Sequence, residues 1–410
     1  IDPNAAETPV NTLPADRQTA LNTLVETTIT QGVFPAVAVY ALKHGEPVLN
    51  AAWGWIDPDQ QNLPTQTDTL FDLASVTKLF TTTAFLSLAS ETGLPLDTPI
   101  VELMPEFGAS GPRPIDGGQD PHTKERLPTP EAYADQTVDP TTITFWHLLT
   151  HSSGIAAWRD VFQAGGPPPV PPTEPDPLSP AQRWQNGLKA LWRYPFTGQP
   201  GAQVVYSDLG LMLLGEAVAR LAGQSLDCAI ENRVLKPLGL SGVGFNPVQR
   251  GIPRERIAPT ENDPAWRGRR CWGEVHDENA CGVGGIAGHA GLFSTARDVA
   301  AFGQAWLMQR PELGISPALL AAATREHTFS EDAGRRGLGW MMKSAENSSA
   351  GRYLSMDSYG HTGFTGTSLW VDPHSQWVIA VLTNRVYPGR EVVGSHAFRV
   401  ALHELLTAPN

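Results

Sequence analysis

The sequence predicts an α/β fold: an antiparallel sheet flanked by helices, built from both ends of the chain, with a mainly helical domain inserted between them. Three observations point to it. Two β-forming runs, Val37–Leu42 and Val48–Ile56, flank a Lys43-His-Gly-Glu46 turn near the start. Residues 367–372 and 377–383 read as strands near the end, while the apolar spacing between Trp146 and Leu240 is helical. The expected division is 1–72 with 285–410 for the sheet domain and 73–284 for the helical one. A cleft at their junction is the expected place for a small-molecule site.

In chain order, Leu21, Leu24, Val25, Thr28 and Ile29 fall at helical spacing before Gly32, predicting a helix over 15–31 that lies on the sheet. The hairpin follows and ends near Asp57. Ser75–Thr92 reads as a helix, with Leu79, Phe80, Phe85, Leu86 and Leu88 apolar and Gly93 placed to stop it. Stretches 108–140 and 165–181 lack apolar periodicity and read as surface insertions, the second stiffened by Pro167–Pro172. The clearest helix of the middle region runs from Asp208 to Leu221, and a closing helix is expected over 391–407.

A chain of 410 residues, 41% of them apolar, can bury a large core. Its net charge of −13 and the absence of any Lys/Arg run exclude a nucleic-acid partner, so a small-molecule or peptide substrate is expected. No apolar stretch approaches the roughly 20 residues of a transmembrane helix. The chain opens on Ile1 rather than Met, so any export signal or anchor lies out of view. The three cysteines make no disulfide framework, although Cys271 and Cys281 are near enough in sequence to pair. A monomer is expected.

Ser75-Val-Thr-Lys78 stands on the first turn of a helix, where i,i+3 spacing brings hydroxyl and amine together. A serine becomes a nucleophile only when a base takes its proton, and the helix N-terminus offers backbone N–H groups to an oxyanion. Such a pair also arises by chance as a solvated Ser and Lys. Tyr206-Ser207-Asp208 precedes the next strong helix, and a phenol beside Lys78 would relay the serine proton; the ordinary reading has Tyr206 as packing and Asp208 as an N-cap. His361-Thr362-Gly363 leads through Phe364 into a strand, where Gly363 would admit a substrate backbone and the Phe364 N–H would complete an oxyanion hole with that of Ser75; the ordinary reading is a polar turn.

In this order the three motifs resemble those of the penicillin-recognising serine hydrolases, which include class C β-lactamases, DD-peptidases and related esterases and amidases, with a β-lactamase/transpeptidase-like fold. The resemblance runs from about Val33 to Arg385 and takes in Leu148–Gly154 and Gly288–Thr295. The branch nearest in Gly273–Ala280 and Leu382–Arg385 is that of bacterial cell-wall hydrolases and esterase-like relatives. It implies Ser75 as nucleophile, Lys78 and Tyr206 as the proton relay, the His361 strand as the wall of the acyl site, and a periplasmic, secreted or cell-surface location, the cytoplasm being the alternative.

Two departures from the pattern carry chemistry. Asp208 replaces the usual Asn; a carboxylate near Lys78 favours the ammonium and makes Tyr206 the base. His361 replaces Lys and removes a permanent positive charge, which disfavours efficient penicillin hydrolysis. Arg159, close after Leu148–Gly154, could replace that charge from the opposite wall of the cleft; the ordinary reading is a solvated arginine. Glu274, His276, Asp277 and Asn279 are expected to form a substrate-selecting wall, the alternative being a purely structural loop.

Other readings compete. His147 and His151, with His276, Asp277 and His289, imitate a metallohydrolase site, but the general-base Glu of a zinc helix is missing. An α/β-hydrolase would need a G-x-S-x-G elbow, which the chain lacks. A sensor that acylates slowly without turnover is the non-enzymatic reading. The preferred one is acyl transfer to water on an ester or amide, with a terminal D-Ala-D-Ala or a muramyl-peptide amide first, simple esters and β-lactams after. No metal or cofactor is expected.

Overall fold

A computed structural model describes residues 10–409, so the first nine residues of the expected 1–72 segment lie outside it. Helix α1 (Ala15–Thr30) precedes a hairpin of β2 (Ala36–Lys43) and β3 (Glu46–Gly54), to which β1 (Val10–Asn11) adds an edge. The end of the chain supplies β10 (Tyr359–Thr362), β11 (Ser368–Asp372) and β12 (Trp377–Thr383). With β7 (Thr328–Ser330), β8 (Gly334–Arg336) and β9 (Met341–Met342) they form one antiparallel sheet in the order β1-β3-β2-β12-β11-β10-β9-β8-β7. The two ends of the chain meet where β12 pairs with β2 along its whole length, Trp377 opposite Lys43 through Thr383 opposite Val37.

This seam is apolar on both faces. In β12, Val378, Ala380 and Leu382 face one core, and Ile379 and Val381 the other, because successive side chains of a strand point to opposite sides. One face is covered by α1 and the closing helix α8 (Ser395–Thr407), which starts four residues later than the sequence predicts. The opposite face packs on α7 (Ala296–Leu307) and continues without a break into the helical region: Leu369 and Leu382 share a cluster with Leu79, Phe85 and Leu213. The sheet and the helical region therefore have one core in common.

At the junction, the expected helix at Ser75 opens as a 3-10 turn over Ala74–Val76 and becomes α2 (Thr77–Thr92). Gly93 ends it in the left-handed conformation, at φ +69°, which glycine adopts without a Cβ clash. Helix α2 packs on α5 (Asp208–Ala222), and both are almost wholly buried along their facing sides. Ser207, not Asp208, caps α5: its Oγ accepts from Gly210 N–H at 3.0 Å and donates to the Ala156 carbonyl at 2.7 Å. Asp208 is thereby free of capping.

The 108–140 insertion is more than a surface excursion. Arg113 is buried between the Phe107 and Phe196 rings and donates to the Trp192 and Tyr194 carbonyls, which anchors the segment to the helical core. Its far end brings Pro121 and His122 to the cleft. The 165–181 segment is held by Arg183, which donates to Asp176 and to the Pro167 carbonyl.

Candidate active site

Ser75 owes its position to the residues before it. Ala74 sits at φ +44°, an unfavourable conformation for a residue with a side chain. Buried Asp72 holds it there: one carboxylate oxygen accepts from Ala74 N–H at 2.8 Å and the other from His276 N–H at 2.6 Å. Burial pushes the Asp72 pKa up, against these two amides.

One turn on, Lys78 Nζ donates to Ser75 Oγ at 2.7 Å and to the His289 carbonyl at 3.3 Å, and stands 2.8 Å from Asp208 Oδ1. Burial works against the ammonium, but Asp208 and then Tyr206 outweigh it, and the pKa of Lys78 is raised. The Tyr206 ring lies over Lys78 Nζ at 4.8 Å and over the Arg336 guanidinium at 4.9 Å.

The Leu148–Gly154 motif carries Tyr206. His151 Nδ1 accepts from Ser207 N–H at 3.1 Å, its carbonyl accepts from Val205 N–H, and its ring lies 4.8 Å from that of Tyr206. Burial, then Arg336, Lys78 and His361, hold the His151 pKa well below its ordinary value, so the ring is neutral. His147 does something different, closing a capping box with Thr144, and α3 (Phe145–Leu149) ends before His151. The helical His147/His151 pair suggested by their spacing does not form.

The third wall is the end of β10. Strand β9 pairs with β10 only as far as Gly360, leaving His361 and Thr362 as an open edge on that side. The following turn is tied to the segment before Ser75: Thr365 Oγ1 donates to the Asp72 carbonyl at 2.7 Å and Thr367 Oγ1 to that of Leu73 at 2.9 Å. Gly363 is required by this closeness, since a Cβ there would meet Thr367 Oγ1 at 2.2 Å and the Leu73 carbonyl at 2.5 Å. His361 Nδ1–H donates to the Thr362 carbonyl, and burial, with Arg336 and Lys78, depresses its pKa well below the ordinary value. The ring is neutral.

These elements enclose a cleft of about 490 Å³ lined by Ser75, Tyr206, Asp208 and His361–Phe364, with Lys78 buried beside it. His276 and Asp277 reach it. His276 stacks on Phe364 at 5.7 Å and bonds Glu261 at 2.8 Å; Asp277 bonds His289 at 2.8 Å. His276 and Arg390 outweigh burial and lower the Glu261 pKa to about 2.

Two expected residues are elsewhere. Arg159 is neither a cleft cation nor solvated: it is 1% exposed, paired with Asp116, and its carbonyl accepts from Asn279. Glu274 is buried against Arg269 at 2.7 Å and lines no part of the cleft. Both were drawn away by partners that sequence spacing does not reveal. Cys271 and Cys281 are free thiols, with the Arg267 guanidinium bonded to Cys271.

Sequence reasoning missed the cations of the cleft: Arg336, Arg385, Arg390 and Arg399. Arg336 is 4% exposed, donates Nε–H to the Ala333 carbonyl at 2.6 Å, and its Nη1 has no partner among the described residues. Burial pushes its pKa down to about 10, against the pull of Tyr206. No local pattern distinguishes it from a surface arginine.

The beta-lactamase family model matches residues 21–403, nearly the whole chain. The chain belongs to the beta-lactamase family. A curated relative from Escherichia coli (strain K12), named "Putative D-alanyl-D-alanine carboxypeptidase", is 31% identical over 372 residues, 86% of this chain and 79% of the relative. One of the same name from Salmonella agona (strain SL483) is 29% identical with the same coverage. Among solved structures, a penicillin-binding protein homologue from Caulobacter crescentus superposes with a TM-score of 0.68 at 20% identity, covering 98% of this chain and 100% of that one. A hydrolase with promiscuous acyltransferase activity gives a TM-score of 0.68 at 19% identity, covering 96% and 98%. This beta-lactamase-family chain is a hydrolase, and its antiparallel sheet with flanking helices is the family fold. Among the described residues no helix is long and apolar enough to cross a membrane.

Proposed function

We propose that this family member is a serine carboxypeptidase of D-alanyl-D-alanine type, acting through an acyl-enzyme on Ser75. The observation that carries the reaction class is the 2.7 Å contact of Lys78 Nζ with Ser75 Oγ at the floor of a cleft shared with Tyr206. With Lys78 an ammonium, Tyr206 acts as its phenolate and takes the proton of Ser75 as Oγ attacks the penultimate D-Ala carbonyl. The Ser75 and Phe364 amides receive the oxyanion. Tyr206 then returns the proton to the leaving amine, terminal D-Ala departs, and water cleaves the ester by the reverse transfers.

The substrate class is supported by the names of the curated relatives and by Arg336, whose guanidinium beside Tyr206 has Nη1 free to meet a terminal carboxylate. Such peptides occur outside the cytoplasmic membrane, which makes that side the proposed place of action.

The test is intact-mass spectrometry and amino-acid release after exposure to a D-Ala-D-Ala peptide, a p-nitrophenyl ester and penicillin. Multiple turnovers of D-Ala release, abolished by Ser75→Ala, are expected. Stoichiometric acylation without release would instead favour the slow-acylating sensor.

A further inference from the structure

The arginines at the α8 end of the cleft are in excess of anything the reaction above uses. Arg390 is neutralised by Glu261 and Glu278, each at 2.7 Å. Arg385 and Arg399 have no carboxylate within ion-pair distance among the described residues. Arg399 is more than nine-tenths buried; Nη1 donates to the Thr367 carbonyl at 3.1 Å while Nε has no partner. Arg385 lies over the Phe364 ring at 4.5 Å, and its charge adds to burial in pushing the Arg399 pKa down to about 10. Helix α8 begins at the same place: Ser395 lines the cleft, and Gly394 offers no side chain to cap it. Two neighbouring cations that no carboxylate contacts, with Glu261 acting on Arg385 only from beyond ion-pair distance, are unfavourable beside the positive end of a 13-residue helix unless an anion joins them.

We infer that Arg385, Arg399 and the α8 N-terminus form a second anion subsite that receives a substrate carboxylate separate from the one at the scissile end. The inference rests on the acyl-transfer reading of this cleft and narrows it to acyl donors bearing an additional carboxylate. Guanidinium groups suit this ligand because two parallel N–H groups match the two oxygens of a carboxylate.

The experiment compares peptides ending in D-Ala-D-Ala with Glu or Gln at each of the two preceding positions, and p-nitrophenyl glutarate with p-nitrophenyl pentanoate. At least one acid is expected to exceed its neutral partner in kcat/KM by about tenfold, the worth of one charge-assisted hydrogen bond. That ratio should fall toward one in Arg385→Gln and in Arg399→Gln. Arg385→Gln is the variant gentler on the fold, since Arg399 also loses a buried bond to Thr367; circular dichroism checks both. Equal rates for acid and neutral partners in both series, or a preference that survives both substitutions, overturns the inference. Failure of every peptide to release D-Ala, with the ester preference intact, overturns the carboxypeptidase reading alone.

Discussion

The Asp208 carboxylate stands 2.8 Å from the buried Lys78 nitrogen, which also donates to Ser75 Oγ at 2.7 Å. An ammonium so held cannot accept the serine proton. On the proposed mechanism it stabilises the forming alkoxide, and the Tyr206 phenolate acts as base.

Asp208→Asn removes the largest influence that raises the Lys78 pKa and leaves burial, which lowers it. The alkaline limb of kcat/KM on a p-nitrophenyl ester should move to lower pH. In the parent protein, the stability due to this pair is fully present below the unfolded lysine pKa of about 10.4 and is lost as pH rises through the higher folded value. An unchanged pH–rate profile in the variant would remove Asp208 from the mechanism.

His151 serves Tyr206 through the backbone, as acceptor for Ser207 N–H. His151→Ala strands that buried amide and should cost about 1–3 kcal/mol of stability, seen as a lower urea midpoint. His151→Asn returns an oxygen near the Nδ1 position and should recover much of the loss. There is also a pH signature: the folded His151 is neutral with a depressed pKa, whereas the unfolded chain protonates near pH 6.5, so parent stability falls as pH drops below that value. The Asn variant should lose less stability between pH 7.5 and 5. Equal acid sensitivity would contradict the assignment.

How far the sequence reveals such relationships depends on their range. Val37–Leu42 and 377–383 are legible as strands because β-branched and apolar side chains fill both faces, and Ser75 with Lys78 because helical geometry alone brings i and i+3 together. The meeting of Tyr206 and His361 with Ser75 is tertiary, and only the resemblance between motifs foretold it. Arg336 and Arg399 were invisible and Arg159 misplaced for one reason. Arginines are ordinarily exposed, and the burial that makes these three unusual is a property of the whole fold.

Gly363→Ala tests the seam between the β10 turn and the segment before Ser75. The added methyl would collide with the Leu73 carbonyl, a backbone atom that cannot swing aside, and with Thr367 Oγ1, whose bond holds the seam together. The expected cost is about 1–3 kcal/mol of stability. The rate of ester-derived acylation should fall as well, because the Phe364 amide shifts from the Ser75 amide. Full activity with a normal melting curve would show that the two segments move independently.

Arg336→Met separates function from stability. In the parent, burial holds the folded pKa of Arg336 near 10, below its unfolded value, so the charged form opposes folding at neutral pH and this penalty fades only above about pH 10. Its Nη1 is unpaired, so a flexible apolar side chain of similar length should raise the stability by roughly 1 kcal/mol even though the Ala333 bond is lost. Turnover should change in the opposite direction. On the proposed reading a D-Ala-D-Ala peptide depends on the guanidinium for its terminal carboxylate, so kcat/KM should drop by more than tenfold relative to the peptide amide, on the order of one charge-assisted hydrogen bond. Thermal unfolding and paired peptide kinetics decide it; a destabilised variant that keeps its acid-over-amide preference would show Arg336 to be structural.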